Sequence, residues 1–393
     1  MPSMDHLERF RAVCRGDRPD YVPIFSFPGA PGMGGGAMAK THRRLVETGM
    51  PEWVDGCHSL SRRDSVETWH RYWGTTQPIG IDFFPAEPAR GFEVRRRREG
   101  EFEVLESESG AVTRQVIDND ITYSMPEFLR YPVRDRASWA FWRERSTPGP
   151  LWPVERIERA CRPLDDRRRP LSIGVGGTWG TLRSLMGPQA ACTVLHDDPT
   201  WAEEIIEFLT WRWDTYTRPL IERLRPEIIA GWEDMCYNHG LLISPAHFRR
   251  FCSPHYRRVA AVARDCGAAM ATVDSDGNVM ELVDLLAEAG INCLHPFEVK
   301  AGNELFALRR RHPDFILMGW LEKETVNEGN ERRIAPEILA KVPPLLAGGR
   351  YFPNGDHGLQ PMVTFPGLCM FMTLLHEVTG NPEGEFPRMP SPL

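Results

Sequence analysis

The sequence predicts an α/β protein: a (β/α)8 TIM-type barrel with an N-terminal antiparallel β excursion. Three observations predict it. From residue 171 onward, short and nearly all-apolar runs alternate with helical patterns, as in a parallel sheet buried on both faces. The later runs each end in carboxylates or imidazoles, and in a parallel barrel all such ends share one face. The composition, 41% hydrophobic and 26% charged over 393 residues, is that of a folded chain with ample core material.

The elements follow in order. LERFRAVCRGDRPDYVPIFSF (7–27) reads as a short helix, a turn at Gly16-Asp17 and a strand over 22–27. PGAPGMGGGAM (28–38) is too glycine-rich for regular structure and lacks the Lys-Ser/Thr of a phosphate loop. It reads as a mobile loop over a site or as a linker. Residues 91–117 alternate apolar and polar between Glu-Gly and Ser-Gly turns, a β-hairpin insertion of two or three strands within a single domain spanning 1–393. Residues 131–170, rich in Pro, Arg and Trp, form short helices and loops.

The regular part begins with LSIGV (171–175), EIIAGW (227–232), AAMATV (268–273), INCLHPF (291–297), FILMGW (315–320) and RYFP (350–353). Between them, residues 244–267 form a helix with Ser244 as N-cap, Pro245 in its first turn and Gly267 as its stop. Pro254 kinks or splits it. Residues 278–290 form another, capped by Asn278 or Asp276 and stopped at Gly290.

Charge and cysteine usage exclude several classes. A net charge of −7 argues against a general nucleic-acid binder. The run Arg95-Arg96-Arg97-Arg98 stands beside Glu99, Glu101 and Glu103 and reads as a solvated strand face. No apolar stretch approaches membrane-helix length, and the N-terminus lacks a signal-peptide centre. Nine cysteines without a CxxC pair suggest reduced thiols in a cytoplasmic protein.

The strand ends carry the chemistry: Glu233 and Asp234, Asp274 and Asp276, His295 and Glu298, Trp320 and Glu322, Asp356 and His357. Any one of them reads as a helix cap or a structural pair; Asp276 as a cap and His357 beside Asp356 are the plain alternatives. Five in succession point to a polar cleft. Trp53, Trp69, Trp73, Trp139, Trp142 and Trp152 line an aromatic pocket or, the commoner case, pack in the core. His239, His247 and His255 lack an HExxH context and read as surface or packing residues.

Four segments, GGTWGTLRSLMG…LHDDPTWAEEIIEFLTW, GWEDMCYNHGLLISPAHFRRFCSPHYRRV, DSDGNVMELVDLLAEAGINCLHPFEVKAGNELFALRRRH and GGRYFPNGDHGLQPMVTFPGLCMFM, together resemble the uroporphyrinogen decarboxylase superfamily. That superfamily includes zinc-dependent, corrinoid-linked methyltransferases. The resemblance spans nearly the whole chain, is strongest over 171–378, and implies one barrel with its cleft at the strand C-termini. Two departures matter. The decarboxylases resemble one another in an Arg-Gln-Ala-Gly-Arg-Tyr segment, where this chain has PGAPGMGGGAM and no Arg until Arg43. A tetrapyrrole polycarboxylate needs such cationic donors. The methyltransferases carry His-x-Cys where this chain has Asp274-Ser275-Asp276, and a late Cys where it has Asp356-His357.

The resemblance therefore implies a metal-dependent methyltransferase moving a methyl group between a small substrate and a corrinoid on a partner protein. Asp276, His357 and Glu233 are the implied catalytic residues and ligands of a divalent metal, zinc in the first instance. Asp234, Asp274, Glu298, Trp320 and Asp356 are the implied substrate-binding residues. Cys236 and Cys293 near strand ends read as small buried residues. One alternative is a metal-free decarboxylase, with Asp276 stabilising developing positive charge and His357 donating a proton. Another is a non-catalytic barrel that binds a partner. A homodimer is compatible with either.

Overall fold

A computed structural model describes residues 4–25, 27–28, 37–56, 63–81, 83–87, 91–117 and 126–392. The glycine-rich loop over 29–36, for which a lid or linker is expected, lies outside the described residues.

The apolar runs become strands because each buries both of its faces. In chain order the strands among the described residues are β1 (Ile79–Gly80), β2 (Arg95–Glu99), β3 (Phe102–Glu106), β4 (Val112–Val116), β5 (Glu127–Arg130), β6 (Leu171–Gly176), β7 (Ile228–Trp232), β8 (Cys236–Tyr237), β9 (Gly240–Leu241), β10 (Met270–Asp274), β11 (Cys293–His295), β12 (Ile316–Leu321) and β13 (Tyr351–Gly355). One seven-stranded sheet runs β1-β6-β7-β10-β11-β12-β13, with every pair parallel. Of the expected strand over 22–27, the described residues form a parallel bridge between Phe25 and Thr76.

The sheet curls. Phe25, beside β1, packs edge-on against Phe352 of β13 with ring centroids 5.1 Å apart, and Phe10 stacks on Phe352 at 5.5 Å. These rings join Ile228, Met270, Cys293, Ile316 and Met318 in one buried cluster. Residues from both ends of the strand order thus meet inside, as in a TIM-like barrel. Among the described residues no ladder joins β13 to the 24–25 segment, so the paired sheet counts seven strands.

Helices cover the outer face, and their ends follow the expected chemistry with instructive exceptions. Ser244 accepts a hydrogen bond from His247 N (3.2 Å), and Gly267 ends the Ser253–Cys266 helix at φ 73°. The segment is divided into Pro245–His247, a π-helical turn and Ser253–Cys266, with Pro254 in the first turn of the last piece. The π-helical turn, Phe248–Cys252, precedes Pro254 and absorbs the missing donor, and a second π turn, Trp213–Thr217, precedes Pro219 in the same way. The Met280–Glu288 helix has Val279 at its cap position; Asn278 Oδ1 accepts from Met280 N (3.3 Å), and Asp276 takes no part.

The antiparallel excursion is a four-stranded sheet, β2-β3-β4-β5, one strand more than the 91–117 hairpin foresees. The extra strand lies beyond 118–125, which are outside the described residues. The edge strand β2 is exposed throughout. Its arginines pair with Glu93 (2.7 Å), Glu103 (3.2 Å) and Glu99 (2.8 Å), the charged edge that discourages pairing with another chain. Trp69, Trp73, Trp139 and Trp142 are core residues, while Trp53 is exposed. No helix among the described residues is long and apolar enough to cross a membrane.

Candidate active site at the strand C-termini

Side chains alternate along each strand, so position parity decides which strand-end residues face the interior. On β7 the inward set is Ile228, Ala230 and Trp232; on β10 it is Met270, Thr272 and Asp274; on β11 it is Cys293 and His295. Asp274 stands in register with Trp232 on one side and with His295 on the other. These three form the top inner layer. On β6 Gly174 pairs with Ala230 and, past a register shift, Gly176 pairs with Gly231; both glycines are exposed, and a Cβ built on either meets nothing within 4 Å. One side of the mouth is therefore open and floored by glycine, and the other is acidic.

The loops beyond β7, β10, β11 and β13 complete the acidic side. His357 Nε2 lies 3.5 Å from Asp276 Oδ2, and Glu298 Oε2 accepts from Gly277 N at 2.8 Å. Donor atoms of Asp276, Glu298 and His357 all lie within 4.8 Å of one another, and so do those of Asp234, Asp274 and Asp276. Asp276 belongs to both groups. Arg183, from the helix after β6, pairs with Asp234 at 3.0 Å and lies 5.0 Å over the ring of the half-exposed Trp232.

The electrostatics follow from burial and crowding. Burial pushes the Asp274 carboxyl up to about 8, helped by the like charges of Asp276 and Asp234. Burial likewise pushes His295 down to about 4. Both shifts favour the uncharged forms and so work against an ion pair at their 3.6 Å approach. For His357, burial opposes protonation, but the hydrogen bond to Asp276 and its charge prevail and raise the pKa.

The structure brings together Asp276, His357, Glu298, Asp274 and Asp234. It does not bring Glu233, Trp320 or Asp356 to them. Glu233 follows an inward residue and so points outward. It is fully buried and accepts from Thr178 N (2.9 Å), Thr178 Oγ1 (3.0 Å), Gly180 N (2.5 Å) and Tyr256 OH (2.5 Å), anchoring the start of the Trp179–Met186 helix. Glu233 lies outside both donor groups, and Glu298 stands beside Asp276 and His357 in the first of them. Trp320 has φ 71°, which breaks the alternation of β12 and turns the indole outward. There it donates to Asn303 O (2.7 Å) and packs on Phe306 and Lys341. Asp356 is buried, its carboxylate taken up by Val299 N (3.0 Å) and Lys323 N (3.1 Å).

Sequence reasoning passed over Arg183 and Trp232 and left His295 without a role. Counting parity from Asp274 finds Trp232 and His295. Nothing local marks Arg183, which arrives from a helix.

As a donor set, Asp276, Glu298 and His357 offer two carboxylates and one imidazole, a three-ligand set that suits zinc and harder divalent ions alike. Cysteine does not enter either group. Burial pushes the thiols of Cys236 and Cys293 up to about 12, which disfavours the thiolate a metal needs.

A curled parallel sheet with titratable groups gathered beyond its strand C-termini defines an α/β barrel-like protein of the enzyme type. The profile of the uroporphyrinogen decarboxylase (URO-D) family matches residues 134–378, and the chain belongs to that family. The solved structure of a methyltransferase from Methanosarcina mazei superposes with a TM-score of 0.59, covering 95% of this chain and 99% of that one at 15% sequence identity, a likeness of fold. No curated protein sequence matches the chain.

Proposed function

We propose that the chain is a divalent-metal-dependent methyltransferase of the URO-D superfamily, moving a methyl group between a small substrate and a corrinoid held by a partner protein. The single observation that carries the reading is the convergence of Asp276, Glu298 and His357, from three different strand-end loops, within 4.8 Å at an open mouth. We read the seven paired strands and the 24–25 segment as the eight positions of a TIM barrel.

A divalent ion bound there supplies a Lewis acid for a methoxy, amine or thiol group. The chain's own residues do the rest. Asp276, Glu298 and His357 hold the ion, and the neutral Asp274 and His295 offer hydrogen bonds to the substrate without adding charge. Asp234, held by Arg183, fixes one wall, and Trp232 presents a ring face to the substrate. The glycine-floored side leaves room for a bulky planar partner group to approach.

One observation favours a second reading, a metal-free carboxy-lyase. Asp276 raises the His357 pKa and so favours the protonated imidazole, which can donate a proton to the carbanion left when CO2 departs. Asp276 then stabilises positive charge on the substrate.

Metal analysis of the purified protein separates the two. Methyl transfer requires stoichiometric zinc, manganese or cobalt uptake that is lost in Asp276→Ala and His357→Ala, both still folded. A wild-type protein that takes up none of these ions sinks the methyltransferase reading and leaves the lyase.

A further inference from the structure

Asp276, Glu298 and His357 stand on three separate loops, each beyond the point where the strand ladder ends. Past that point the backbone N–H groups lose their sheet partners and must find others or stay orphaned. Among the side chains that serve them at this end of the sheet, three are buried and bridge one loop to the next. Ser275 Oγ accepts from Met235 N (3.1 Å), joining the loops after β7 and β10. Asn303 donates through Nδ2 to Gly277 O (2.9 Å) and Glu298 O (2.8 Å), and its Oδ1 accepts from Val279 N (2.9 Å). It thereby joins the loops after β10 and β11. Asp356 accepts from Val299 N and Lys323 N, joining the loops after β11 and β12 to the end of β13.

All three side chains are within 2% of full burial, and each lies beside the cluster without entering it. Ser275 sits between Asp274 and Asp276, and Asp356 precedes His357. Asn303 bonds the carbonyl of Glu298 itself and of Gly277, next to Asp276. Every staple therefore touches the backbone of a donor residue or its immediate neighbour.

We infer that Ser275, Asn303 and Asp356 are positioning residues that set the spacing of Asp276, Glu298 and His357. The inference deepens the proposed function and takes its metal chemistry from that reading. Outer-shell partners of this kind change metal affinity by roughly 10–100-fold when removed.

The test is zinc affinity by competition with a chromophoric chelator, in wild type, Asn303→Ala, Asp356→Asn and Asn381→Ala. Asn381 is the control: equally amide-bearing and buried, it bonds Gly74 O (2.9 Å) and Glu383 N (3.0 Å) beyond the far end of the Phe365–Thr379 helix. Asn303→Ala is expected to bind zinc at least tenfold more weakly with a native circular dichroism spectrum. Asp356→Asn, which keeps one acceptor oxygen, falls between it and wild type. Asn381→Ala loses stability but not affinity. Wild-type affinity in Asn303→Ala, or an equal loss in Asn381→Ala, overturns the inference. Should Asn303→Ala fail to fold, Ser275→Ala removes a single acceptor and carries the same comparison. If wild type binds no ion, the metal reading fails by itself, and ion-free crystal structures decide the positioning role. An Asp276–His357 separation still at 3.5 Å in the variant overturns it, and a widened one supports it.

Discussion

His357 Nε2 lies 3.5 Å from Asp276 Oδ2, across the gap between the loops that follow β13 and β10. The contact raises the imidazole pKa against the effect of its own burial, so the folded value lies above the unfolded one of about 6.5. A raised histidine contributes stability that is fully present below the unfolded pKa and is lost as pH rises through the folded one. In Asp276→Asn the His357 ring is expected to titrate at lower pH, and this part of the stability profile to flatten. Ring-proton NMR against pH checks it; an unchanged titration shows that Asp276 is not what holds the proton.

Asp274 is expected to behave in the opposite sense to an ordinary carboxylate. Pushed up to about 8, it keeps its proton in the folded state while the unfolded chain releases it above about 4. Stability on this account falls as pH rises from about 4 to 8. Asp274→Asn, which cannot ionise, should gain on wild type across that window by at least about 1 kcal/mol. Urea melts at pH 5 and pH 8 measure the difference, and a constant gap contradicts a protonated Asp274.

Glu233→Gln separates a structural carboxylate from a ligand. Four donors converge on Glu233, and each of its oxygens takes a backbone N–H, so an amide nitrogen in place of either one faces a donor it cannot satisfy. The cost is about 3 kcal/mol of stability. The folded fraction should retain its full complement of bound metal. Metal lost at unchanged stability would return Glu233 to the ligand set.

Two glycines three residues apart should respond differently to alanine. A Cβ on Gly177 would lie 1.9 Å from Trp232 O, so Gly177→Ala must displace backbone and lower the melting temperature markedly. A Cβ on Gly174 meets nothing within 4 Å. Gly174→Ala should melt with wild type, and Gly174→Leu should fold yet narrow the mouth and weaken substrate binding. Thermal melts of the two alanine variants are the first check; equal destabilisation would mean the mouth is not open at β6.

Much of the fold was legible because buried parallel strands announce themselves as apolar runs. Those at Ile228–Trp232, Met270–Asp274 and Ile316–Leu321 fall where the runs place them. Ser244 and Gly267 were equally legible, since a cap and a stop are local chemistry. The 22–27 run was read as a strand, and its described residues form one bridge at Phe25; β5 went unforeseen because Glu127–Arg130 is short, mostly exposed and carries little apolar pattern.

Within the site, the order of residues along the chain identified the loops and most of the acids, because each follows an apolar run. Orientation lay outside its reach. Glu233 and Asp234 are neighbours, yet parity sends one into a buried hydrogen-bond knot and leaves the other at the mouth. Trp320 turned outward through a positive φ that no local pattern encodes, and Arg183 reached Asp234 from another element altogether. The residue types and their strand-end positions are one-dimensional facts, so the list of candidates came from sequence. Which of them share 4.8 Å of space depends on register, backbone sign and the buried staples between loops, and those exist only once the sheet has curled.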